Sequence, residues 1–243
     1  MNKELVKLRF KKNLNTYEEN ACIQDKMAKK LLSFLDSTKY NNILEIGCGR
    51  GLLTRVINER FIFERYTAND IVKECEKYIK EINNDITFML GDIEQEIKNN
   101  TEKYDLIISN ASFQWIENLP EFINALIQRL NNNGILLFST FGKENFREIL
   151  YTQEKQLKYY SVQELKNILE KYSPKIEEEV HLMSFKQPKE VLKHIHSTGV
   201  NAIESTFWTR KDLENFENLY NNFCSNHPTL TYNPIYVIMQ KTI

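Results

Sequence analysis

The chain has 243 residues, of which 42% are hydrophobic and 12% aromatic, and its 32 Lys and Arg balance 33 Asp and Glu to a net charge of −1. This length and composition allow a sizeable buried core, which excludes a disordered protein. Proteins that bind nucleic acids usually carry a basic excess, because neutralising phosphates supplies most of their affinity. The balanced charge therefore argues against a nucleic-acid partner.

The cysteine pattern and the lengths of the apolar runs indicate in which cell compartment the protein is found. The four cysteines are scattered and form no CxxC pair, which is typical of a reducing cytoplasm and not of a zinc site or a disulfide framework. The first twenty residues lack the apolar centre of a signal peptide. No run approaches the ~18 apolar residues that a membrane span needs. We expect a cytoplasmic protein with no membrane segment and no bound metal.

The first part of the chain alternates between helix and strand patterns. Ile23, Met27, Leu31 and Leu35 form a helical stripe, which predicts a helix over 18–35. The strands predicted after it cover 43–46, 63–69, 86–92, 104–110 and 134–141, and the helices cover 52–61, 71–82 and 119–130. This alternation predicts an α/β fold, a doubly wound Rossmann-like sheet with helices on both faces.

After residue 142 the alternation loosens. The helices predicted here cover 161–172, 189–197 and 209–223, and the strands cover 175–185 and 233–241. Gly and Pro are sparse and no linker is visible, so we expect one domain over 1–243 with a mixed sheet of about seven strands. Within it we predict an N-terminal helical flap (1–36), a cofactor-binding core (40–142) and a C-terminal part (143–243) with lid helices at about 189–223.

A glycine-rich loop follows the first strand and reads Glu45-Ile-Gly47-Cys-Gly49-Arg-Gly51. Glycines permit a tight turn and close approach of a ligand, and backbone amides there suit a carboxylate or phosphate. A purely structural turn is the alternative explanation.

Two acidic residues end the next strands. Asp70 lies 19 residues after Gly51, where a carboxylate can accept hydrogen bonds from both ribose hydroxyls; a helix N-cap is the alternative. Asp92 ends the third predicted strand, where it could accept a hydrogen from an adenine amino group. Because ligands bind at the carboxyl edge of open α/β sheets, the loop and both carboxylates together predict a nucleoside-binding site.

The glycine spacing distinguishes two classes of cofactor. The dinucleotide fingerprint is GxGxxG, whereas this chain has GxGxG with Leu52 at the place of the third glycine. The acidic-x-Gly-x-Gly-x-Gly form resembles the class I methyltransferases that use S-adenosylmethionine. That resemblance implies that Glu45 shapes the loop, that the loop holds the methionine part, that Asp70 binds ribose, and that Asp92 with Ile93 binds adenine. The cofactor residues it implies are Glu45, Gly47, Cys48, Gly49, Gly51, Asp70, Ile71, Asp92, Ile93 and Asn110.

The segment after the fourth strand indicates the acceptor class. It reads SNASFQW over 109–115 and lacks the paired prolines of enzymes that methylate amino groups. It resembles the malonyl-[acyl-carrier protein] O-methyltransferases of biotin synthesis. Further similarities to this family lie in Phe10 with Thr16-Tyr17-Glu18, Ala21 and Gln24, in FSTFG (138–142), in STGVNA (197–202), in WTR (208–210) and in LTYNP (230–234). They run from residue 9 to about 238.

That resemblance implies methyl transfer to the free carboxylate of a malonyl thioester, on acyl-carrier protein or on coenzyme A. A carboxylate with a pKa near ~4 is already ionised at neutral pH, so it needs no general base, and we assign no catalytic dyad and no metal. A methyltransferase acting on another small molecule and a binding module without turnover are the alternatives.

The acceptor site should contain a cation for the malonyl carboxylate. Arg147 is the first candidate, and Lys143 and Arg210 are the others; a solvated surface charge is the alternative for each. Tyr17 could donate a hydrogen bond, and Gln114 and Trp115 could line the pocket or fill the core. The basic residues of the N-terminus either form a solvated face or attract an acidic carrier protein; they are Lys3, Lys7, Arg9, Lys11 and Lys12.

Overall fold

A computed structural model describes residues 3–153, 157–197 and 209–242, without the side chains of 15–20 and 153. The strands are β1 (Asn42–Ile46), β2 (Arg65–Asp70), β3 (Thr87–Leu90), β4 (Tyr104–Ser109), β5 (Leu130–Phe141), β6 (Lys175–Glu178), β7 (His181–Ser184), β8 (Thr229–Tyr232) and β9 (Pro234–Gln240). The helices are α1 (Lys3–Asn20), α2 (Cys22–Leu32), α3 (Leu52–Arg60), α4 (Cys75–Ile82), α5 (Ile93–Asn99), α6 (Leu119–Gln128), α7 (Arg147–Gln153), α8 (Val162–Leu169), α9 (Pro188–Ser197) and α10 (Arg210–Phe223).

Seven strands form one mixed sheet in the order β3-β2-β1-β4-β5-β9-β6. Strands β1 to β5 are parallel, and β9 runs antiparallel between β5 and β6. Strands β7 and β8 form a separate antiparallel pair. The prediction of a doubly wound α/β fold with about seven strands is confirmed.

Helices bury both faces of this sheet. Leu106 and Ile108 of β4 belong to the core that includes Met27, whereas Ile107 between them belongs to the core that includes Ile123. The first core is shared with α2, α3 and α4, and the second with α5, α6 and α8. A strand covered on both sides is apolar at successive positions, which explains the unbroken apolar centre of β4.

The N-terminal region contains two helices where the stripe predicted one over 18–35. Helix α1 ends at Asn20 and α2 begins at Cys22, because Ala21 has φ −89° and ψ 29°, outside the helical range. Ile23, Met27 and Leu31 are buried as the stripe predicts. The prediction was wrong in its bounds, and correct about the buried face of α2.

The C-terminal half departs further from the predicted elements. The strand predicted over 175–185 is wrong: β6 and β7 lie in different sheets, and Glu179 between them donates its N–H to the Pro234 carbonyl. Helices α5 and α7 and strand β8 were not predicted. The helix predicted over 119–130 ends at Gln128, and β5 begins at Leu130, with a shift in its register against β4 between Tyr104 and Leu106.

Helices α9 and α10 contact each other, and they also contact α1 and α7 respectively. Their role as a lid stays a prediction. Among the residues that the structure describes, no helix combines the length and apolar character needed to cross a membrane.

Candidate active site

A cavity of about 150 Å³ opens where β1, β2, β3 and β4 end. Seven of the ten predicted cofactor residues line it, namely Gly47, Gly49, Asp70, Ile71, Asp92, Ile93 and Asn110. They come from four separate strand ends, which the parallel sheet brings to one edge. The sheet therefore assembles most of the predicted cofactor set around one space.

The glycine loop lies against the floor of this cavity with left-handed backbone angles. Gly47 has φ +70°, and a Cβ there would lie 2.1 Å from the Ser112 Oγ. Gly49 has φ +53°, and a Cβ there would meet no atom within 4 Å. Since Gly49 lines the cavity, a side chain at that position would occupy ligand space. Gly47 thus permits close packing, and Gly49 keeps the cavity open.

The amide groups of the loop are already paired inside the protein. The N–H groups of Gly47 and Cys48 both donate to the Asn69 carbonyl at 2.9 Å, and the Gly49 N–H donates to Asp70 Oδ2 at 2.8 Å. The Gly51 N–H donates to the Cys48 carbonyl. These four N–H groups therefore have acceptors within the protein, and the suitability of the loop amides for a carboxylate or phosphate stays a prediction.

Glu45, Cys48 and Gly51 do not line the cavity. The Glu45 carboxylate is buried beneath the loop and accepts hydrogen bonds from Thr54 Oγ1 at 2.6 Å and from the Tyr66 hydroxyl. Burial raises the pKa of Glu45 to about 7, although both hydrogen bonds lower it. Burial also raises the pKa of Cys48. Gly51 has φ +82° and precedes α3 as its N-cap. These three residues support the loop from behind.

Asp70 fixes the loop to the end of β2. Its Oδ2 accepts the Gly49 N–H, and its Oδ1 accepts the Val72 N–H at 2.8 Å. Burial raises the pKa of Asp70, and the two backbone N–H groups oppose this rise. The N-cap of the next helix is Glu74. The alternative explanation of Asp70 as the N-cap of that helix is therefore wrong.

Asp92 is the N-cap of α5, and its Oδ1 accepts the Glu94 N–H at 3.1 Å. Its Oδ2 lies 2.6 Å from the Lys3 Nζ. A capping role and a cavity-lining position therefore coincide in this residue, with Ile93 beside it.

The SNASFQW segment is fixed to β5 and α2 by hydrogen bonds. Asn110 donates through Nδ2 to the Gln24 carbonyl at 2.9 Å and accepts through Oδ1 from Ser139 Oγ at 2.8 Å. The Ala111 N–H also reaches Ser139 Oγ at 2.9 Å, and Ala111 has φ +52°. Ser139 thus holds a strained turn that places Asn110 at the cavity.

Trp115 lines the cavity, whereas Gln114 is buried and donates to the Ala111 carbonyl at 2.7 Å. The Trp115 ring meets Phe10 of α1 edge to face, with ring centroids 5.8 Å apart. Gln114 therefore supports the turn, and Trp115 with Phe10 forms an apolar wall.

Helix α1 covers the cavity. An N-terminal helical flap (1–36) was predicted from the sequence, but not which of its residues line the cavity. Its lining side chains are Lys3, Val6, Phe10 and Leu14. Arg50, between two loop glycines, also lines the cavity and donates through Nη1 to the Leu14 carbonyl at 3.0 Å. The apolar residues of α1 recur every four positions, and this spacing is the signal that could have identified the helix.

Comparison with known proteins supports one family. A family model described as a methyltransferase domain matches residues 19–178. A malonyl-[acyl-carrier protein] O-methyltransferase from Calditerrivibrio nitroreducens is 36% identical over 96% of this chain and 94% of the relative. One from Chlorobium luteolum is 34% identical over 98% of this chain and 95% of the relative. The chain belongs to the malonyl-[acyl-carrier protein] O-methyltransferase family.

Solved structures share the fold of this family member. The YcgJ protein of Bacillus subtilis aligns with a TM-score of 0.63 and 10% identity, over 90% of this chain and 99% of its own. Phosphoethanolamine N-methyltransferase 2 of Haemonchus contortus, solved in complex with S-adenosyl-L-methionine, aligns with a TM-score of 0.57 and 16% identity, over 95% of this chain and 57% of its own. At these identities the likeness concerns the fold.

The three cations predicted for the acceptor of this family lie away from the cavity. Arg147 pairs with Glu144 at 3.3 Å and has a side chain that is 46% exposed. Lys143 pairs with Glu164 at 2.8 Å, and Arg210 pairs with Glu214 with 93% exposure. None of the three lines the cavity. The side chain of Tyr17 lies outside the described part of the chain.

The LTYNP segment near the C-terminus, one of the family similarities, fixes the segment after β5. The buried Glu148 carboxylate accepts the Thr231 N–H at 3.0 Å and also the Thr231 hydroxyl. The Asn233 N–H donates to Asn145 Oδ1 at 3.2 Å. The residues after β5 include Lys143 and Arg147. The LTYNP segment therefore helps to determine where these two cations lie.

No group of three or more His, Cys, Asp or Glu with metal-binding geometry occurs among the described residues.

Proposed function

We propose that this protein transfers the methyl group of S-adenosylmethionine to the free carboxylate of malonyl-acyl-carrier protein, giving the methyl ester that primes pimelate synthesis for biotin. The observation that carries the proposal is the identity of 34–36% over 96–98% of the chain to malonyl-[acyl-carrier protein] O-methyltransferases. The likeness includes the chain ends, which contribute α1 and the LTYNP segment to the site and its surroundings.

The cavity residues suit S-adenosylmethionine. A carboxylate offers about four acceptor positions, and the two Asp70 oxygens have each taken one backbone N–H. The Cys75 thiol and the Ile71 N–H also donate to Asp70, so the ribose hydroxyls would share its acceptor positions with these groups. Asp92 and Ile93 stand where they can contact adenine, and the space in front of Gly49 suits the methionine part. When bound, S-adenosylmethionine supplies an electrophilic methyl group on a positively charged sulfur.

The chain's contribution to the reaction is alignment. The malonyl carboxylate is ionised at neutral pH and needs no proton removed, so no general base is required. Correct alignment of two reactants can contribute roughly 7–11 kcal/mol toward the barrier. Asn110, held by Gln24 and Ser139, sets the edge of the cavity, and the Phe10–Trp115 wall excludes water beside it.

A cation should hold the malonyl carboxylate. Arg147 remains our first candidate, with Lys143 and Arg210 as alternatives, and each would have to leave a surface ion pair to act. Tyr17 remains a proposed hydrogen-bond donor from the N-terminal flap (1–36). Lid helices at about 189–223 complete the arrangement. The proposal extends to malonyl-coenzyme A as acceptor, and it involves no nucleic acid and no membrane.

The decisive experiment is transfer of radiolabelled methyl from S-adenosylmethionine to malonyl-acyl-carrier protein. Malonyl-coenzyme A and free malonate are tested beside it, and acetyl-acyl-carrier protein, which lacks the free carboxylate, is the matched control. We expect a base-labile labelled product with the malonyl thioester and none with the acetyl thioester. Labelling of acetyl-acyl-carrier protein, or no labelling of either, contradicts the proposal.

A further inference from the structure

Two ion pairs join Lys3, in the first turn of α1, to Asp92, which lines the cofactor cavity, and to Glu94. The Lys3 Nζ lies 2.6 Å from Asp92 Oδ2 and 2.5 Å from Glu94 Oε2. The three side chains are only 24%, 26% and 12% exposed, respectively. Burial lowers the pKa of Lys3, but hydrogen bonds to both carboxylates outweigh this and raise it. The ammonium group is therefore charged and largely withdrawn from solvent.

Glu94 extends this contact to the segment that follows Trp115. Its Oε2 accepts the Glu117 N–H at 3.2 Å, and its Oε1 accepts the Asn118 N–H at 3.3 Å. Lys3 thus meets two carboxylates, one that lines the cavity and one that holds the end of the SNASFQW segment.

Helix α1 is attached to the cavity at two further points. Its middle packs through Phe10 against Trp115. The Leu14 carbonyl of α1 accepts a hydrogen bond from the Arg50 guanidinium. The Cζ atom of Arg50 lies 4.4 Å from the centroid of the Tyr78 ring. With the Lys3 contact, α1 is held at residues 3, 10 and 14, and its side chains line the same cavity as Asp70 and Asp92.

We infer that Lys3 is a positioning residue for the cofactor, which holds Asp92 in place for adenine and ties α1 over the bound nucleoside. This inference rests on the proposed function, in which Asp92 accepts a hydrogen bond from adenine. Without Lys3, two carboxylates that are two residues apart repel each other, and the first turn of α1 loses its anchor. The cofactor then dissociates faster, because Val6 and Phe10 no longer cover it.

Lys3→Met tests this directly, since methionine keeps an apolar stem and removes the charge. Lys11→Met is the matched control: Lys11 lies on the same helix, pairs with Glu74 at 2.5 Å and is 56% exposed, and it does not line the cavity. Calorimetry with S-adenosylhomocysteine should show about 3- to 10-fold weaker binding for Lys3→Met and unchanged binding for Lys11→Met. Equal affinities for these two variants overturn the inference.

Hydrogen exchange separates a cofactor role from simple support of α1. In the wild type and in Lys11→Met, S-adenosylhomocysteine should slow exchange of the amides of residues 6–14. In Lys3→Met this ligand-induced slowing should be reduced. Equal slowing in all three proteins shows that α1 closes without Lys3 and overturns the inference.

Glu94→Gln provides a second route that leaves Asp92 intact. If Lys3 acts through the pair of carboxylates, Glu94→Gln should also weaken the binding of S-adenosylhomocysteine. The fold-loss of affinity in the double variant Lys3→Met/Glu94→Gln should then be smaller than the product of the fold-losses in the two single variants. Independent, multiplicative losses contradict the pairing. A wild-type protein that binds no S-adenosylhomocysteine overturns both the proposed function and this inference, whereas normal wild-type binding with an unaffected Lys3→Met overturns the inference alone.

Discussion

Gly47→Ala is the sharpest test of how the glycine loop is built. The backbone at Gly47 has φ +70°, which costs an L-residue about 1–2 kcal/mol. The new Cβ would also lie 2.1 Å from the Ser112 Oγ and 2.8 Å from the Ser112 Cβ. Rotation of Ser112 moves its hydroxyl but not its Cβ, so the two segments must separate, and such overpacking costs about 1–3 kcal/mol. We expect a total destabilisation of about 2–5 kcal/mol.

The two contributions separate in a double-mutant cycle with Ser112→Gly. Removing the Ser112 side chain takes away the steric part and leaves the backbone part, so Gly47→Ala should cost only about 1–2 kcal/mol in the Ser112→Gly background. Urea unfolding followed by circular dichroism measures each free energy of unfolding, and calorimetry with S-adenosylhomocysteine measures the accompanying loss of affinity. Strictly additive effects of the two substitutions would refute the packing argument.

Four further predictions concern the same site. Gly49→Val should abolish cofactor binding in calorimetry because its side chain enters open cavity space, and thermal unfolding should stay cooperative with a lower midpoint because valine is strained at φ +53°; normal affinity would contradict the loop assignment. Asp70→Ala should weaken cofactor binding by about 1.5–3 kcal/mol in the same assay if the carboxylate bonds ribose, and an unchanged dissociation constant would remove it from the site. Arg147→Ala should raise the apparent KM for malonyl-acyl-carrier protein and spare cofactor affinity; an unchanged KM would exclude Arg147 as the clamp. Burial raises the folded pKa of Glu45 from 4.5 to about 7. With respect to this group, the protein is therefore most stable below about pH 4.5, where Glu45 is neutral in both states, and it loses on the order of 3 kcal/mol as the pH rises through about 7. Glu45→Gln should flatten urea-unfolding stability between pH 5 and pH 8, and an unchanged pH dependence would refute this.

Strand ends were the most predictable part of the site. Asp70 and Asp92 were predicted because each ends a predicted strand, and parallel strands bring their carboxyl ends to one ligand-binding edge. Asn110 lines the same cavity but was predicted from the family resemblance and not from strand-end reasoning. What it could not give was the direction of the loop amides, since the Asn69 carbonyl that accepts two of them comes from a neighbouring strand.

Long-range contacts explain most of what was missed. The alternation over 175–185 indicates extended chain, but it carries no information on which sheet each half joins, and that depends on Pro234 and Asn233. One of the contacts that hold α1 at the cavity joins Lys3 to Asp92, 89 residues away in the chain. The local hydrophobic pattern of a helix gives no information on a contact with a residue so far away in the sequence. For the same reason the three predicted acceptor cations, chosen by their place in the sequence, turned out to lie in surface ion pairs.

The sequence segments that resemble the family contact one another in the fold. Gln24 from the N-terminal similarity, Asn110 from SNASFQW and Ser139 from FSTFG are widely separated in sequence, yet they form one continuous chain of hydrogen bonds at the cavity edge. LTYNP then holds the residues that follow FSTFG. The matching segments are therefore joined by hydrogen bonds in the fold, although they are far apart in the sequence. This linkage is the reason that likeness at both ends of the chain, more than the glycine loop, supports a malonyl thioester as the acceptor.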